Sequence, residues 1–419
     1  MNLLRLGSKS LANRKSTVLL TVATIAISVA LILGVERVRQ NAWTSFSSTV
    51  SGADLIVGAR SGAVQLLLYS VFRIGNATNN ISYRSFEEIA DRKEVKWAIP
   101  ISLGDSHGGY RVMGTSTAYF DHYRFGNQRS LEFSAGDRFS DLFDVVLGAE
   151  VAETLGYELG DQIVIAHGAG TTSFITHDDK PFVVKGILER TGTPVDRTLH
   201  VSLEAIEAIH IDWKDGAKIP GQEVSAEMVR KLPLNPKSIT AMIVGLESRI
   251  AVFGTQRWIN NYTGEPLLAI LPGVALQELW SLVRVAEKAL LMVSLFVIAA
   301  AFVGMVAVSL AGLNERRREI AVLRATGAGF RHVFGLLFME TILLTLAGII
   351  LGMLLVYMVQ FLGQETLELR FGLYMPLTLP TAVEWQLLLG VFVAGVLAGL
   401  VPAYRAYRNS LADGLTARL

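Results

Sequence analysis

Four long apolar segments and one long mixed stretch divide the chain. The apolar segments are STVLLTVATIAISVALILG (residues 16–34), AEKALLMVSLFVIAAAFVGMVAVSL (286–310), a run over 333–360 that contains LLTLAGIILGMLLVYMV, and VEWQLLLGVFVAGVLAGLV (383–401). A helix rises 1.5 Å per residue, so about 20 apolar residues cross a hydrocarbon core of about 30 Å. Helical passes also satisfy their own backbone polar groups in lipid, which an isolated strand cannot. The pattern therefore predicts four transmembrane helices. Lys288 lies where it can snorkel to an interface, Glu340 falls near the start of the third span within reach of the headgroups, and Trp385 is placed as an interfacial anchor. A cleavable signal peptide is the competing reading of the first segment. Its apolar run is long, no clean small-x-small site follows, and GVERVRQNAW continues as a helix leaving the membrane, so an uncleaved anchor is preferred. The pairs Gly348–Gly352 and Gly395–Gly399 have the spacing that brings helices close, although apolar composition alone also produces such pairs.

Between the first and second spans, over 36–284, the pattern changes to short alternations and turns. This stretch of about 250 residues suffices for one large or two small domains. DLIVG reads as a strand bounded by glycines, and QLLLYSVF as a core helix or an exposed apolar surface. FEEIADRKEVKWAIPISLG reads as a surface helix then a strand. VVLGAEVAETLGYELGDQIVIAHG gives strand, short helix, a corner at Gly160–Asp161, and strand. KPFVVKGILERTGTPVDRTLHVSLEAIEAI gives two strands and a helix begun by Ser202, and ITAMIVGLES is a further alternating strand. The expected fold class is a membrane protein with four transmembrane helices and a large α+β extracytoplasmic domain. Its expected segments are 1–35, 36–284, 285–312, 313–329, 330–361, 362–381, 382–401 and 402–419: flank and first span, extracytoplasmic domain, second span, cytoplasmic helix, third span, short outer loop, fourth span and cytoplasmic tail.

Composition agrees. The chain is 51% hydrophobic and only 18% charged, below the usual charge of a soluble domain. Arg5, Lys9, Arg14 and Lys15 precede the first span. Five arginines lie in 314–331, and Arg405 and Arg408 follow the fourth span, whereas the loop between spans three and four holds two glutamates and one arginine. The positive-inside rule puts both termini and 314–331 in the cytoplasm and the long insert outside. A net charge of +1 without aromatic-basic interleaving excludes a nucleic-acid partner. No cysteine is present, so disulfides and cysteine metal clusters are excluded. GxSxG, HExxH and GxxxxGK[ST] are all missing, and GAGTTS at 168–173 reads as a loop; no catalytic residue, cofactor site or metal site is expected. The histidines of the insert (107, 122, 167, 177, 200 and 210) form no close pair at ligand spacing, and His177-Asp178-Asp179 reads as a solvated turn.

One polar stretch stands out. NERRREIAVLRATGAG (314–329) predicts a short amphipathic helix in which Ile320 and Leu323 share a side, with Gly327 as C-cap. Glu315 and Glu319 repeat acid at i,i+4, so its charges do not mainly staple the helix to itself. Arginines that only enforce topology are the simpler alternative; ordered apolar positions and balancing acids favour a docking element.

This segment resembles the cytoplasmic coupling region of FtsX-like ABC permeases, the group that includes MacB-type exporters and lipoprotein-releasing permeases. The matching residues are Arg318-Glu319-Ile320, Arg324 and Gly327-Ala328. The tail VPAYRAYRNSLADGL is similar to the family's P-A-x-x-A ending, with Ser410-Leu411-Ala412 where a proline-containing run often stands. VLGAEVAETLGYELGD resembles a recurring segment of the family's exported domain, of MacB-like periplasmic type. The order of one span, large domain and three spans extends the likeness over nearly the whole chain.

The resemblance implies a permease subunit in the bacterial inner membrane without an ATPase of its own. Glu315, Arg316, Arg317, Arg318 and Glu319 would form a polar docking surface for a cytoplasmic ABC ATPase dimer. Ile320 and Leu323 would seat in an apolar cleft, Arg324 would meet an ATPase acid or a membrane lipid phosphate, and Gly327 would set the turn into the third span. ATP and magnesium would bind in the partner. A second permease copy or paralogue would complete a dimer, with a periplasmic adaptor or lipoprotein as a further partner. Motion would pass to the exported domain by mechanotransmission, driving export or extraction from the outer face. The alternatives are an ATPase-coupled regulator of a periplasmic cell-wall hydrolase and a membrane sensor or adaptor.

Overall fold

The computed structural model describes residues 15–49, 51–168, 177–214, 217–218, 224–315, 329–371 and 377–412. Two compact units emerge, Trp43–Leu282 on one hand and Met1–Ala42 with Val283–Leu419 on the other. The apolar segments become helices α1 (Lys15–Ser48), α2 (Pro272–Glu315), α3 (Phe330–Phe371) and α4 (Ala382–Ala412). All four are long and apolar enough to cross a membrane. The helices continue beyond the apolar runs, through Gly34 in α1 and Pro402 in α4.

The mixed stretch folds around one sheet. Its strands are β1 (Leu55–Ala59), β2 (Val95–His107), β3 (Tyr110–Thr115), β4 (Phe133–Gly136), β5 (Asp144–Leu147), β6 (Gln162–Ile163), β7 (Ala166–His167), β8 (Phe182–Leu188), β9 (Thr198–Ser202), β10 (Ala241–Leu246) and β11 (Leu267–Ile270). Their order is β11-β1-β10-β2-β3-β9-β5-β8-β4, with β7 on β2 and β6 on β8. The sheet is mixed. β1 runs antiparallel to β10 with Val57 opposite Met242, while β8 runs parallel to β5 and β9 parallel to β3. The β5–β8 crossover carries the helix Ala149–Leu155, and Gly160 turns the chain at a φ of +91° that glycine adopts without strain. Ser202 caps the helix Leu203–Ile209 by accepting from the Ala205 N–H.

Apolar side chains cover both faces of the sheet. Val145, Leu147, Phe182, Leu199 and Ala205 pack on one face, and Met113, Tyr119, Phe120, Val146 and Ile243 on the other. QLLLYSVF resolves to core: Leu66, Leu67 and Tyr69 of the helix Ala63–Ser70 are buried. The alternation expected over ITAMIVGLES is absent, since every residue of β10 is buried. A central strand covered on both faces has no solvent face to alternate with.

In the membrane unit, the glycine pairs are helix contacts. A Cβ on Gly348 would lie 2.5 Å from Ile25 Cγ2, and one on Gly352 would lie 2.7 Å from Val29 Cβ. On Gly395 and Gly399 it would lie 2.6 and 2.5 Å from the Cγ2 atoms of Thr345 and Thr341. α3 thus packs directly on α1, and α4 on α3, at distances that only glycine permits. Thr341 and Thr345 donate their hydroxyls back to Leu337 O and Thr341 O, which satisfies these polar groups within α3 itself. Many other span residues, Leu351, Leu354, Phe361 and Leu389 among them, point outward with an apolar face suited to lipid.

Candidate functional site

Arg37 in α1 is only 8% exposed, although it carries a fixed charge. Its Nε donates to Glu384 Oε1 of α4 at 2.6 Å, and its Nη1 donates to Gln360 Oε1 of α3 at 2.6 Å. The guanidinium also stacks 4.2 Å above the Tyr357 ring. Glu384 is 2% exposed, and its other oxygen accepts the Thr381 N–H at 2.7 Å. Thr381 Oγ1 in turn accepts from the Glu384 N–H at 3.4 Å. Thr381 and Glu384 therefore form a capping box at the start of α4.

One turn further along α1, Gln40 Nε2 donates to Glu36 Oε1 and to Thr381 Oγ1. Arg39 grips Glu36 through two bonds of 2.8 and 2.6 Å and reaches Glu287 of α2 at 3.5 Å. A single polar network thus joins all four helices. Charges buried this deeply persist only with partners and full hydrogen bonding, so the network fixes one relative setting of the helices.

The opposite ends of the spans differ from expectation at one point. Glu340, expected at headgroup level, is buried at 5% exposure in a cavity lined by Thr17, Thr21, Ser309 and Thr341. The helix face that carries it packs on the other spans and supplies polar neighbours, which a lipid-facing glutamate would lack. Trp385, as expected for an interfacial anchor, is exposed.

Of the residues expected to couple to an ATPase, the structure describes only Glu315. Glu315 closes α2, while Arg316, Arg317, Arg318, Glu319, Ile320, Leu323, Arg324 and Gly327 lie outside the described residues.

Reading the chain alone missed the network. Its members lie hundreds of positions apart, and each looks like an ordinary charge at a span end. The one local signal was the Thr-x-x-Glu spacing of Thr381 and Glu384. The histidines also require correction. His177 does not sit in a solvated turn; it is 1% exposed, while Asp178 and Asp179 beside it are exposed. His167, His177, His210 and Asp105 converge, because β7 pairs with β2 and the helix Leu203–Ile209 ends beside them.

Residues 18–249 match the family described as MacB-like periplasmic core domain, and residues 291–411 match the FtsX-like permease C-terminal family. Among curated proteins, the chain is 23% identical over 228 residues to the lipoprotein-releasing system transmembrane protein LolC of Neisseria meningitidis, covering 52% of this chain and 50% of that protein. It is 23% identical over 406 residues to the macrolide export ATP-binding/permease protein MacB of Nitrobacter winogradskyi, covering 93% of this chain and 56% of that protein. The chain thus spans about half the length of the curated relatives it matches. Among solved structures, the periplasmic region of MacB from Actinobacillus actinomycetemcomitans aligns at 12% identity and a TM-score of 0.33, over 55% of this chain and 94% of that one.

Proposed function

This chain belongs to the MacB-like, FtsX-like family of ABC transporter permeases, and on that premise we propose that it transmits ATP-driven motion from a cytoplasmic ATPase to its extracytoplasmic domain. It is a multi-pass protein of the inner membrane with a large extracytoplasmic domain. The observation that carries the reading is the polar network. The chain passes between its two units within α1 and α2, and Arg39–Glu287 and Arg37–Glu384 tie those helices to each other and to α4. A displacement of α3 or α4 is therefore communicated to α1 and α2 through charged contacts that resist partial rupture.

In this account Glu315, Arg316, Arg317, Arg318 and Glu319 form the polar surface that meets the ATPase. Ile320 and Leu323 are the apolar anchor, Arg324 meets an acid or a lipid phosphate, and Gly327 turns the chain into α3. An apolar anchor with a polar rim is the usual plan of a protein interface. ATP and magnesium are bound by the partner. Two permease chains assemble, and nucleotide-driven closure of two ATPase subunits moves the cytoplasmic helices. The substrate is then exported or extracted from the outer face; of the two relatives, one is a lipoprotein-releasing protein and the other a macrolide exporter.

Purification of the chain from its native membrane in mild detergent, followed by mass spectrometry of its companions, tests the proposal. An abundant P-loop ATPase, lost on Leu323→Asp with membrane insertion intact, is the expected result. Normal copurification with Leu323→Asp removes the docking role. A hydrolase as the main extracytoplasmic companion would replace transport by cell-wall regulation.

A further inference from the structure

We infer that Asp105, His167, His177 and His210 form a binding site for a divalent transition-metal ion, zinc foremost, in the extracytoplasmic domain. Three elements and a turn supply the ligands. β7 pairs antiparallel with β2 in a register that sets His167 opposite Asp105. His210 is the C-cap of the helix Leu203–Ile209, and the His177 N–H donates to Ile165 O at 2.9 Å, holding the turn against the sheet.

The donor atoms have the separations of a ligand shell. Asp105 Oδ1 lies 3.2 Å from His167 Nδ1 and 3.4 Å from His210 Nε2, and those two nitrogens are 3.0 Å apart. Ligands about 2.0 Å from a tetrahedral ion are separated by about 3.3 Å. One donor atom from each of the four residues falls within 4.8 Å of the others.

Two further observations point to a cation. His177 is 1% exposed, yet neither ring nitrogen has a hydrogen-bond partner among the described residues. A buried imidazole left unpaired is costly, and a metal bond removes that cost. The second is the tautomer of His210. Its Nδ1 lies 2.8 Å from Ile206 O and so carries a proton, which leaves Nε2 of the neutral ring as the atom that would present a lone pair to the cluster. Two imidazole nitrogens 3.0 Å apart need a proton or a cation between them.

The surroundings suit an ordered but reachable site. Trp213 packs against the rings of His167, His177 and His210 at centroid distances of 5.0, 4.5 and 5.7 Å. Asp105 and His177 form the buried floor, while the His167 and His210 side chains are 35% and 26% exposed at the rim. Three imidazoles and one carboxylate, with no sulfur, match zinc or its neighbours rather than calcium or magnesium, which take oxygen shells.

The test uses the full chain in detergent, purified on a tag free of histidine, stripped with chelator and dialysed. Zinc chloride is titrated, and bound zinc is measured after gel filtration. One ion per chain is expected. His177→Ala and His210→Ala should each weaken zinc binding by more than about 100-fold, beyond the loss typical of a residue behind the ligands. His122→Ala, whose ring stacks on Trp97 away from the cluster, should bind as the parent does. Absence of a stoichiometric ion, or zinc retained by the His177→Ala/His210→Ala double variant, overturns the proposal. Should those variants misfold, cobalt(II) added to the unaltered chain decides the matter. The intense visible absorption of four-coordinate cobalt supports the site, and the weak spectrum of six-coordinate cobalt overturns it.

Discussion

Glu384→Ala is the perturbation that most directly probes the polar network. It removes the carboxylate that accepts from Arg37 at 2.6 Å and leaves a guanidinium that is 8% exposed without its counter-charge. Breaking a buried ion pair from one side costs about 3–5 kcal/mol. Loss of the capping box with Thr381 adds about 1 kcal/mol. Gln360 and Tyr357 still contact Arg37 and pull the total back, so a net loss of about 3–5 kcal/mol is expected. Arg37→Met combined with Glu384→Met removes both charges and should recover most of that loss, because apolar replacement of a whole buried pair is often neutral or stabilising. Reversible unfolding in mixed anionic and mild detergent micelles, followed by tryptophan fluorescence, gives the double-mutant cycle. A Glu384→Ala protein within about 1 kcal/mol of the parent, or a double variant as damaged as the single one, would refute the reasoning.

Three other outcomes are expected. Gly352→Leu should destabilise the membrane unit by about 1–3 kcal/mol or more in the same unfolding assay, since even a Cβ there lies 2.7 Å from Val29 Cβ and 2.8 Å from Ala26 O. Leu323→Asp should abolish ATPase copurification without changing membrane insertion. His200 should weaken the extracytoplasmic domain in acid. Burial, and secondarily the charge of Arg73, pushes the His200 imidazole from 6.5 down to about 3, where it packs against Tyr119 and Phe120. The unfolded chain therefore binds one proton more between these values. Stability is full above pH 6.5 and falls with acidification by up to about 1.4 kcal/mol per pH unit. His200→Phe should flatten that part of the melting-temperature profile, and an unchanged slope would exclude the assignment.

What could be read from the chain alone follows interaction range. The spans were legible because lipid demands an unbroken apolar run, and Ser202 because capping is settled within three residues. The corner at Gly160 followed from turn chemistry, whereas QLLLYSVF stayed open between core and surface until the burial of Leu66, Leu67 and Tyr69 decided it. β10 lost its expected alternation because coverage of its second face depends on elements elsewhere in the chain. The pairs Gly348–Gly352 and Gly395–Gly399 were visible as spacings, but only the close approach of Ile25, Val29, Thr341 and Thr345 identifies them as contacts. Arg37 with Glu384, and Asp105 with His167, His177 and His210, were not legible at all. Their partners meet through helix packing and strand pairing, and neither set leaves a fixed spacing in the sequence.

The central claim is that nucleotide events in the cytoplasm move the extracytoplasmic ends of the helices. The chain contains no cysteine, so a single introduced one can be labelled alone. Val285, in α2 close to Glu287 and 71% exposed, is suited to a spin label. The measurement is the distance between labels on Val285→Cys in the two permease copies of the ATPase-bound assembly, without nucleotide and with ATP trapped by vanadate. A shifted distance distribution on trapping is the predicted result. An unchanged distribution in an assembly that hydrolyses ATP would contradict mechanotransmission through these helices.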